Sequence, residues 1–234
     1  MKQLTSPIIL ALDTDDLATA RAWIESTRES IDIYKVGLEF FLKHGSRGLK
    51  ELRLVTEFEL FLDLKLHDIP NTVAGAITSI RELTPRFLTV HAAGGAAMVR
   101  AAVQAAPEIA ITGVTVLTSL DAEELSLMGI DQGPLLFAVS LAKRAVAAGA
   151  RAIVCSPLEV AAIRAEVGSA IELITPGVRP AGSELGDQSR VMTPQEAMAV
   201  GANFLVIGRP ISSYFQVSPE AMGQRAAEIR ESLR

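Results

Sequence analysis

Eight short runs of β-branched residues and leucine recur along the chain, each separated from the next by a longer stretch. They are Ile8 to Asp13, Ile31 to Gly37, Leu60 to Lys65, Phe87 to His91, Ile111 to Thr118, Ala152 to Ser156, Ile171 to Thr175 and Phe204 to Gly208. Their length and composition read as strands. Between them, Ala18 to Thr27, Thr72 to Leu83, Ala96 to Ala106, Pro134 to Ala148, Pro157 to Val167 and Thr193 to Val200 space their apolar residues as helices do. Pro219 to Leu233 follows the eighth run as a final helix. Ser156-Pro157, Thr193-Pro194 with Glu196, and Ser218-Pro219 with Glu220 carry helix-start signals, and Gly149 and Gly201 mark helix ends. Strands that alternate with helices imply a parallel sheet, because returning to the same edge in the same direction needs a crossover. Eight such units in 234 residues have the count and size of an α/β (β/α)8 TIM barrel. An open doubly wound sheet is the weaker alternative, since no Gly-x-Gly-x-x-Gly turn follows the first strand. No linker or low-complexity segment divides residues 1–234, so one domain is expected.

Charge and composition narrow the function classes. Lys plus Arg number 22 against 27 Asp plus Glu, a net charge of −5, with no basic run and only 5% aromatics to stack on bases. That argues against a nucleic-acid binder, whereas a small anionic ligand needs only a few cations gathered in one cleft. The single cysteine, Cys155, leaves no partner for an intramolecular disulfide or a zinc cluster and reads as a small core residue. No run approaches the roughly 18 to 20 apolar residues of a membrane span. The first apolar run stops at Asp13, too short for a signal core, so a cytoplasmic protein with no membrane partner is expected.

In such a barrel alternate strand residues point inward, and chemistry collects at the C-terminal strand ends. Ile9, Ala11 and Asp13 then share one face, as do Ile31, Ile33 and Lys35, and Phe61, Asp63 and Lys65. Each inward row ends in charge, where burying any one group alone would be costly. The third run continues through Leu66-His67-Asp68-Ile69-Pro70-Asn71-Thr72, giving Asp-x-Lys-x-x-Asp-Ile-Pro-x-Thr. Carboxylates at 63 and 68 can keep Lys65 charged and offset its desolvation, and such a lysine can stabilise a developing anion and then donate a proton.

This segment resembles the signature of the orotidine 5′-phosphate decarboxylase family. The likeness extends to Leu12-Asp13, Tyr34-Lys35-Val36-Gly37, Val116-Leu117-Thr118-Ser119, Thr175-Pro176-Gly177-Val178-Arg179-Pro180, Gly186-Asp187-Gln188 and Val206-Ile207-Gly208-Arg209-Pro210, in order and at barrel spacing. The resemblance implies loss of CO2 from C6 of orotidine 5′-phosphate to give uridine 5′-phosphate, in pyrimidine biosynthesis, with no cofactor and no metal. The C6 carbanion lies in the ring plane and cannot delocalise into the π system, so nearby charge must stabilise it. By the same match Lys65 stabilises that carbanion and protonates C6, and Asp63 sits beside the substrate carboxylate. Lys35 is the outer member of a Lys35, Asp63, Lys65, Asp68 network and, with Asp13, reaches the ribose hydroxyls. Asp68, Ile69 and Thr72 match residues that enter a neighbouring subunit's site, which implies a homodimer.

The far end of the ligand has its own residues. Barrels often bind phosphate with the loops after the seventh and eighth strands, where Arg179, Gly208 and Arg209 fall. The resemblance adds Gln188, in a lid from Arg179 to Arg190, Thr118 as the hydroxyl on the pyrimidine, and Pro176 in the apolar wall near the departing carboxylate. His67 reads as a solvated group or one that supports a site residue, His44 as a surface group, and His91 as either site lining or a core histidine. Purely structural alternatives are an interior ion-pair network and a solvated surface loop. Two other functions compete: a magnesium-dependent lyase such as a keto-gulonate-phosphate decarboxylase or hexulose-phosphate synthase, and a non-catalytic nucleotide-phosphate binding module. Ile69-Pro70-Asn71-Thr72 with Arg179 and Gln188 favours the nucleotide over the first, and intact Asp63 and Lys65 argue against the second.

Overall fold

A computed structural model describes residues 4–180 and 192–234. The eight runs form β1 (Ile8–Ala11), β2 (Ile33–Gly37), β3 (Glu59–Leu66), β4 (Phe87–His91), β5 (Ala110–Val114), β6 (Ala152–Val154), β7 (Glu172–Thr175) and β8 (Phe204–Ile207). All pair in parallel and in chain order, and β8 closes on β1 with Ile8 opposite Leu205 and Leu10 opposite Ile207. The result is the expected (β/α)8 barrel. Around it run α1 (Leu17–Thr27), α2 (Leu38–Arg53), α3 (Pro70–Ile80), α4 (Gly95–Ala105), α5 (Ala122–Leu127), α6 (Pro134–Ala147), α7 (Val160–Val167), α8 (Pro194–Ala199), α9 (Arg209–Ser212) and α10 (Pro219–Glu231).

The local signals act as their chemistry requires. Thr193 and Glu196 form a capping box at α8, and Ser218 Oγ accepts from Ala221 N at the start of α10. Gly149 and Gly201 end their helices at φ +105° and +108°, a region that only glycine enters without strain. No element was expected over α2, which buries Phe40, Leu49 and Leu52; Gly45, at φ +58° and ψ −157°, kinks it. His44 lies at the kink. It packs on Phe40 and hydrogen-bonds the Asp15 carbonyl through Nε2 at 2.8 Å.

Two apolar shells result. Ile9, Ala11, Ile33, Phe61, Phe87, Ala152, Ile174, Phe204 and Val206 fill the barrel, with Phe87 edge-on to both Phe61 and Phe204. Arg86 lies over the Phe87 and Phe204 rings and pairs with Glu172 at 3.1 Å, closing the N-terminal mouth. The outer shell, between sheet and helices, contains Ile31. Ile31 was expected to face inward, but β2 begins at Ile33, and the residue lies before the alternating pattern applies. With one end plugged by aromatics and a guanidinium, the open end is left for polar side chains.

Candidate active site

The polar end is organised by an irregularity in β3. Leu62 pairs with Leu88 of β4 but Leu66 with Val90, so Asp63, Leu64 and Lys65 together face one residue, Thr89. A bulge of this kind bends a strand and re-aims its side chains. Lys65 takes φ +47°, left-handed backbone that costs a non-glycine residue on the order of 1–2 kcal/mol. Its amide donates to Thr89 Oγ1 at 2.8 Å, and Thr89 Oγ1 donates to Asp63 Oδ1 at 2.9 Å. The Lys65 side chain folds back so that Nζ lies 2.7 Å from Asp63 Oδ2.

Lys35 extends this pair across the sheet. Its Nζ lies 3.7 Å from Asp63 Oδ2 and donates to Asp13 Oδ1 at 2.9 Å, giving the alternation Asp13, Lys35, Asp63, Lys65. Gly37 leaves the room for this, since a Cβ there would stand 3.3 Å from Lys35 Nζ. Burial alone would push the Asp63 carboxyl up, but Lys35, Lys65 and the hydrogen bonds from Lys65 and Thr89 outweigh it and hold it below the usual aspartate value. Burial likewise works against the Lys35 ammonium, and Asp13 and Asp63 outweigh it and raise its pKa. Asp63 and Lys35 therefore both stay charged in a buried setting that would favour the neutral form of either one alone.

Within its own chain, Asp68 stands apart from Asp63 and Lys65. Its side chain is exposed and accepts from Ile69 N at 2.6 Å, and among the described residues it makes no ion pair with Lys65. The reason is the chain path: after Leu66 the backbone leaves the barrel toward α3, carrying Asp68, Ile69 and Thr72 to the exposed surface. Within one chain, Asp13 rather than Asp68 completes the row of four.

The remaining residues converge on the same mouth. A cavity of about 280 Å³ is lined by Asp13, Lys35, Asp63 and Lys65 on one side. Thr118, Pro176, Arg179, Gly208 and Arg209 line it as well. Its floor includes Ala11, Phe61 and Val206 of the inner shell. A Cβ on Gly208 would lie 3.5 Å from Asp13 Oδ2, so the end of β8 abuts the acidic end of β1. Arg179 N donates to Met192 O at 2.9 Å, joining the chain on either side of the segment that holds Gln188; Gln188 itself lies outside the described residues.

Two residues near the site were not singled out in the sequence. Thr89 is fully buried, and the signal for it was a hydroxyl in the inward row Phe87, Thr89, His91. Ser156 lines the cavity after β6, where Ser-Pro reads first as a helix start. His91 does not line the cavity. It is half-buried against exposed His67, with ring centroids 5.3 Å apart, and its pKa is lowered by burial and by His67 and Lys65. Cys155 lies in the lining but is 1% exposed, and burial pushes its thiol pKa up, so no reactive thiolate forms there. Among the described residues, no three His, Cys, Asp or Glu side chains group as metal ligands.

The sequence profile of the orotidine 5′-phosphate decarboxylase / HUMPS family matches residues 6–217. The chain belongs to this family. Residues 6–217 contain all eight strands and every residue of the cavity lining, so the orotidine 5′-phosphate decarboxylase / HUMPS match covers the site as well as its frame. A protein named orotidine 5′-phosphate decarboxylase from Thermobifida fusca is 57% identical over 210 residues, 89% of this chain and 90% of its own length. One of the same name from Paramagnetospirillum magneticum is 44% identical over 235 residues, 97% of this chain and 99% of its own. The crystal structure of orotidine 5′-phosphate decarboxylase from Lactobacillus acidophilus aligns with a TM-score of 0.82 at 31% identity, covering 98% of this chain and 99% of that one.

Proposed function

We propose that the protein decarboxylates orotidine 5′-phosphate to uridine 5′-phosphate in pyrimidine biosynthesis, with Lys65 as the group that stabilises and protonates C6. One observation carries the reading: the charged row Asp13, Lys35, Asp63, Lys65 and the arginines Arg179 and Arg209 line a single cavity. A nucleotide monophosphate has a matching polarity, with a dianion at one end and a reacting carboxylate at the other.

In this reading Arg179, Arg209, the Gly208 backbone and Gln188 take the phosphate, Asp13 and Lys35 the ribose hydroxyls, and Thr118 the pyrimidine edge, with Pro176 in the wall. The substrate carboxylate then lies against Asp63, a like-charge contact that departure of CO2 relieves. The C6–carboxyl bond breaks and its electron pair stays on C6, in the ring plane. The Lys65 ammonium offsets that charge and gives its proton to C6. The neutral amine regains a proton from solvent, and no metal or cofactor enters any step. Asp63 prepares Lys65 for this by holding its ammonium in place at 2.7 Å, which is electrostatic preorganisation. Binding energy from the phosphate, remote from C6, can be realised in the transition state.

Asp68, Ile69 and Thr72 are assigned to the neighbouring subunit's site in a homodimer. Their exposure beyond β3 supports this, above all that of Ile69, an apolar side chain 67% exposed. The assay for the proposal follows orotidylate absorbance and CO2 release with EDTA present. Turnover supports the decarboxylase, magnesium-dependent cleavage of a sugar phosphate with no loss of orotidylate favours the lyase, and binding without CO2 favours a non-catalytic module.

A further inference from the structure

We infer that Thr89 is a positioning residue for the decarboxylation, its one hydroxyl fixing both the backbone of Lys65 and the carboxylate of Asp63. The inference rests on the function proposed above and assigns a role to a residue that touches no substrate. Three features of the fold lead to it. The bulge sets three β3 residues against Thr89 alone, so the regular ladder provides no backbone carbonyl for the Lys65 amide. Thr89 Oγ1 accepts from that amide at 2.8 Å and donates a hydrogen bond to Asp63 Oδ1 at 2.9 Å. The residue is also 0% exposed, so water cannot substitute for either bond.

The direction of the two bonds is fixed by chemistry. A backbone amide only donates and an ionised carboxylate only accepts, so the hydroxyl must accept from the first and donate to the second. Thr89 is β-branched and restricted at χ1, which holds Oγ1 at that point. Asp63 Oδ1 is thereby occupied, which leaves Oδ2 to face Lys65 Nζ at 2.7 Å and Lys35 Nζ at 3.7 Å. The same hydroxyl supports the left-handed Lys65, whose conformation persists only if its surroundings impose it. Thr89 thus fixes both the start of the lysine side chain and the acid its end is paired with. Thr89 stands in β4, whereas Arg179, Gly208 and Arg209 follow β7 and β8, so phosphate binding and the aim of Lys65 rest on different elements.

The test is steady-state decarboxylation of orotidine 5′-phosphate by Thr89→Val, which keeps the shape and removes the hydroxyl, beside Thr89→Ser, which keeps the hydroxyl. Valine is expected to lower kcat by about tenfold to a hundredfold, the scale of a lost hydrogen bond to a charged group, with KM within about threefold of wild type. Serine is expected to restore kcat to within about threefold of wild type. Thr89→Ala carries the same expectation as valine and replaces it should valine fail to fold. Wild-type kcat in the hydroxyl-free variants would overturn the role, as would a folded serine variant as slow as valine, or a loss confined to KM. A wild-type protein that releases no CO2 would instead reject the decarboxylase reading itself, which separates the two failures.

Discussion

Lys65 Nζ lies 2.7 Å from Asp63 Oδ2 although the lysine's own backbone is left-handed, at φ +47°. Two residues apart on a regular strand, these side chains would stand in parallel. The bulge instead turns the lysine back onto the acid, and Lys35, bonded to Asp13, approaches the same oxygen from β2. The Asp63 carboxylate thus holds two ammonium groups in place at the mouth of the barrel.

Replacing the lysine tests the chemistry directly. Lys65→Ala should reduce kcat by about 10⁴-fold or more, since it removes both charge stabilisation and the proton donor. The fold should persist, because Asp63 keeps Lys35 and Thr89 as partners. Circular dichroism and the thermal midpoint check the second half. A kcat equal to wild type in a folded variant would contradict the mechanism.

The phosphate end makes a different prediction. Arg209→Ala should lower kcat/KM by about a hundredfold, the scale of lost charge-assisted hydrogen bonds. The check is steady-state kinetics against orotidine 5′-phosphate, and full retention of kcat/KM would contradict the assignment.

Much of this frame is legible in the sequence because its causes are local. Strand runs such as Phe87 to His91, proline beside Ser218 and Thr193, and glycine at 149 and 201 act through φ/ψ and capping, which need no tertiary information. Alternation along a strand also placed Ile9, Ala11 and Phe61 inside. It failed where the backbone departs from regularity, since the β3 bulge gives Lys65 its aim by a route that alternation does not describe. Thr89 escaped notice because a threonine in a strand is ordinary by propensity, and its importance comes from a register slip created by pairing. Asp68 lies away from Lys65 of its own chain because the backbone turns outward after Leu66, and nearness in sequence says nothing of that turn.

Acid stability should report on Asp63. Its carboxyl is held below the ordinary value, because two ammonium groups and two hydrogen bonds outweigh burial. Its contribution to stability is therefore complete above the unfolded pKa of about 3.9 and lost as pH falls through the lower folded value. Unfolding free energy measured by urea should fall more steeply in wild type than in Asp63→Asn below about pH 4, by at most about 1.4 kcal/mol per pH unit. Identical slopes would mean that Asp63 is not held ionised by the fold.

Shared sites can be tested by mixing. In a twofold homodimer of Lys65→Ala and Asp68→Ala chains exchanged in equal amounts, half of the dimers pair one of each and restore one intact site, so about a quarter of all sites should work. Each variant alone should be nearly inactive. Activity in the mixture no higher than in the separate variants, after subunit exchange is shown, would place Asp68 in its own chain's site or in none.

The most direct measurement is the loss of orotidylate absorbance, with CO2 collected, by purified protein in excess EDTA, run beside Lys65→Ala. The account predicts stoichiometric CO2 and uridine 5′-phosphate from wild type at a rate EDTA does not change, and almost none from the variant. Binding of orotidine 5′-phosphate without CO2, or turnover that survives loss of Lys65, would contradict it.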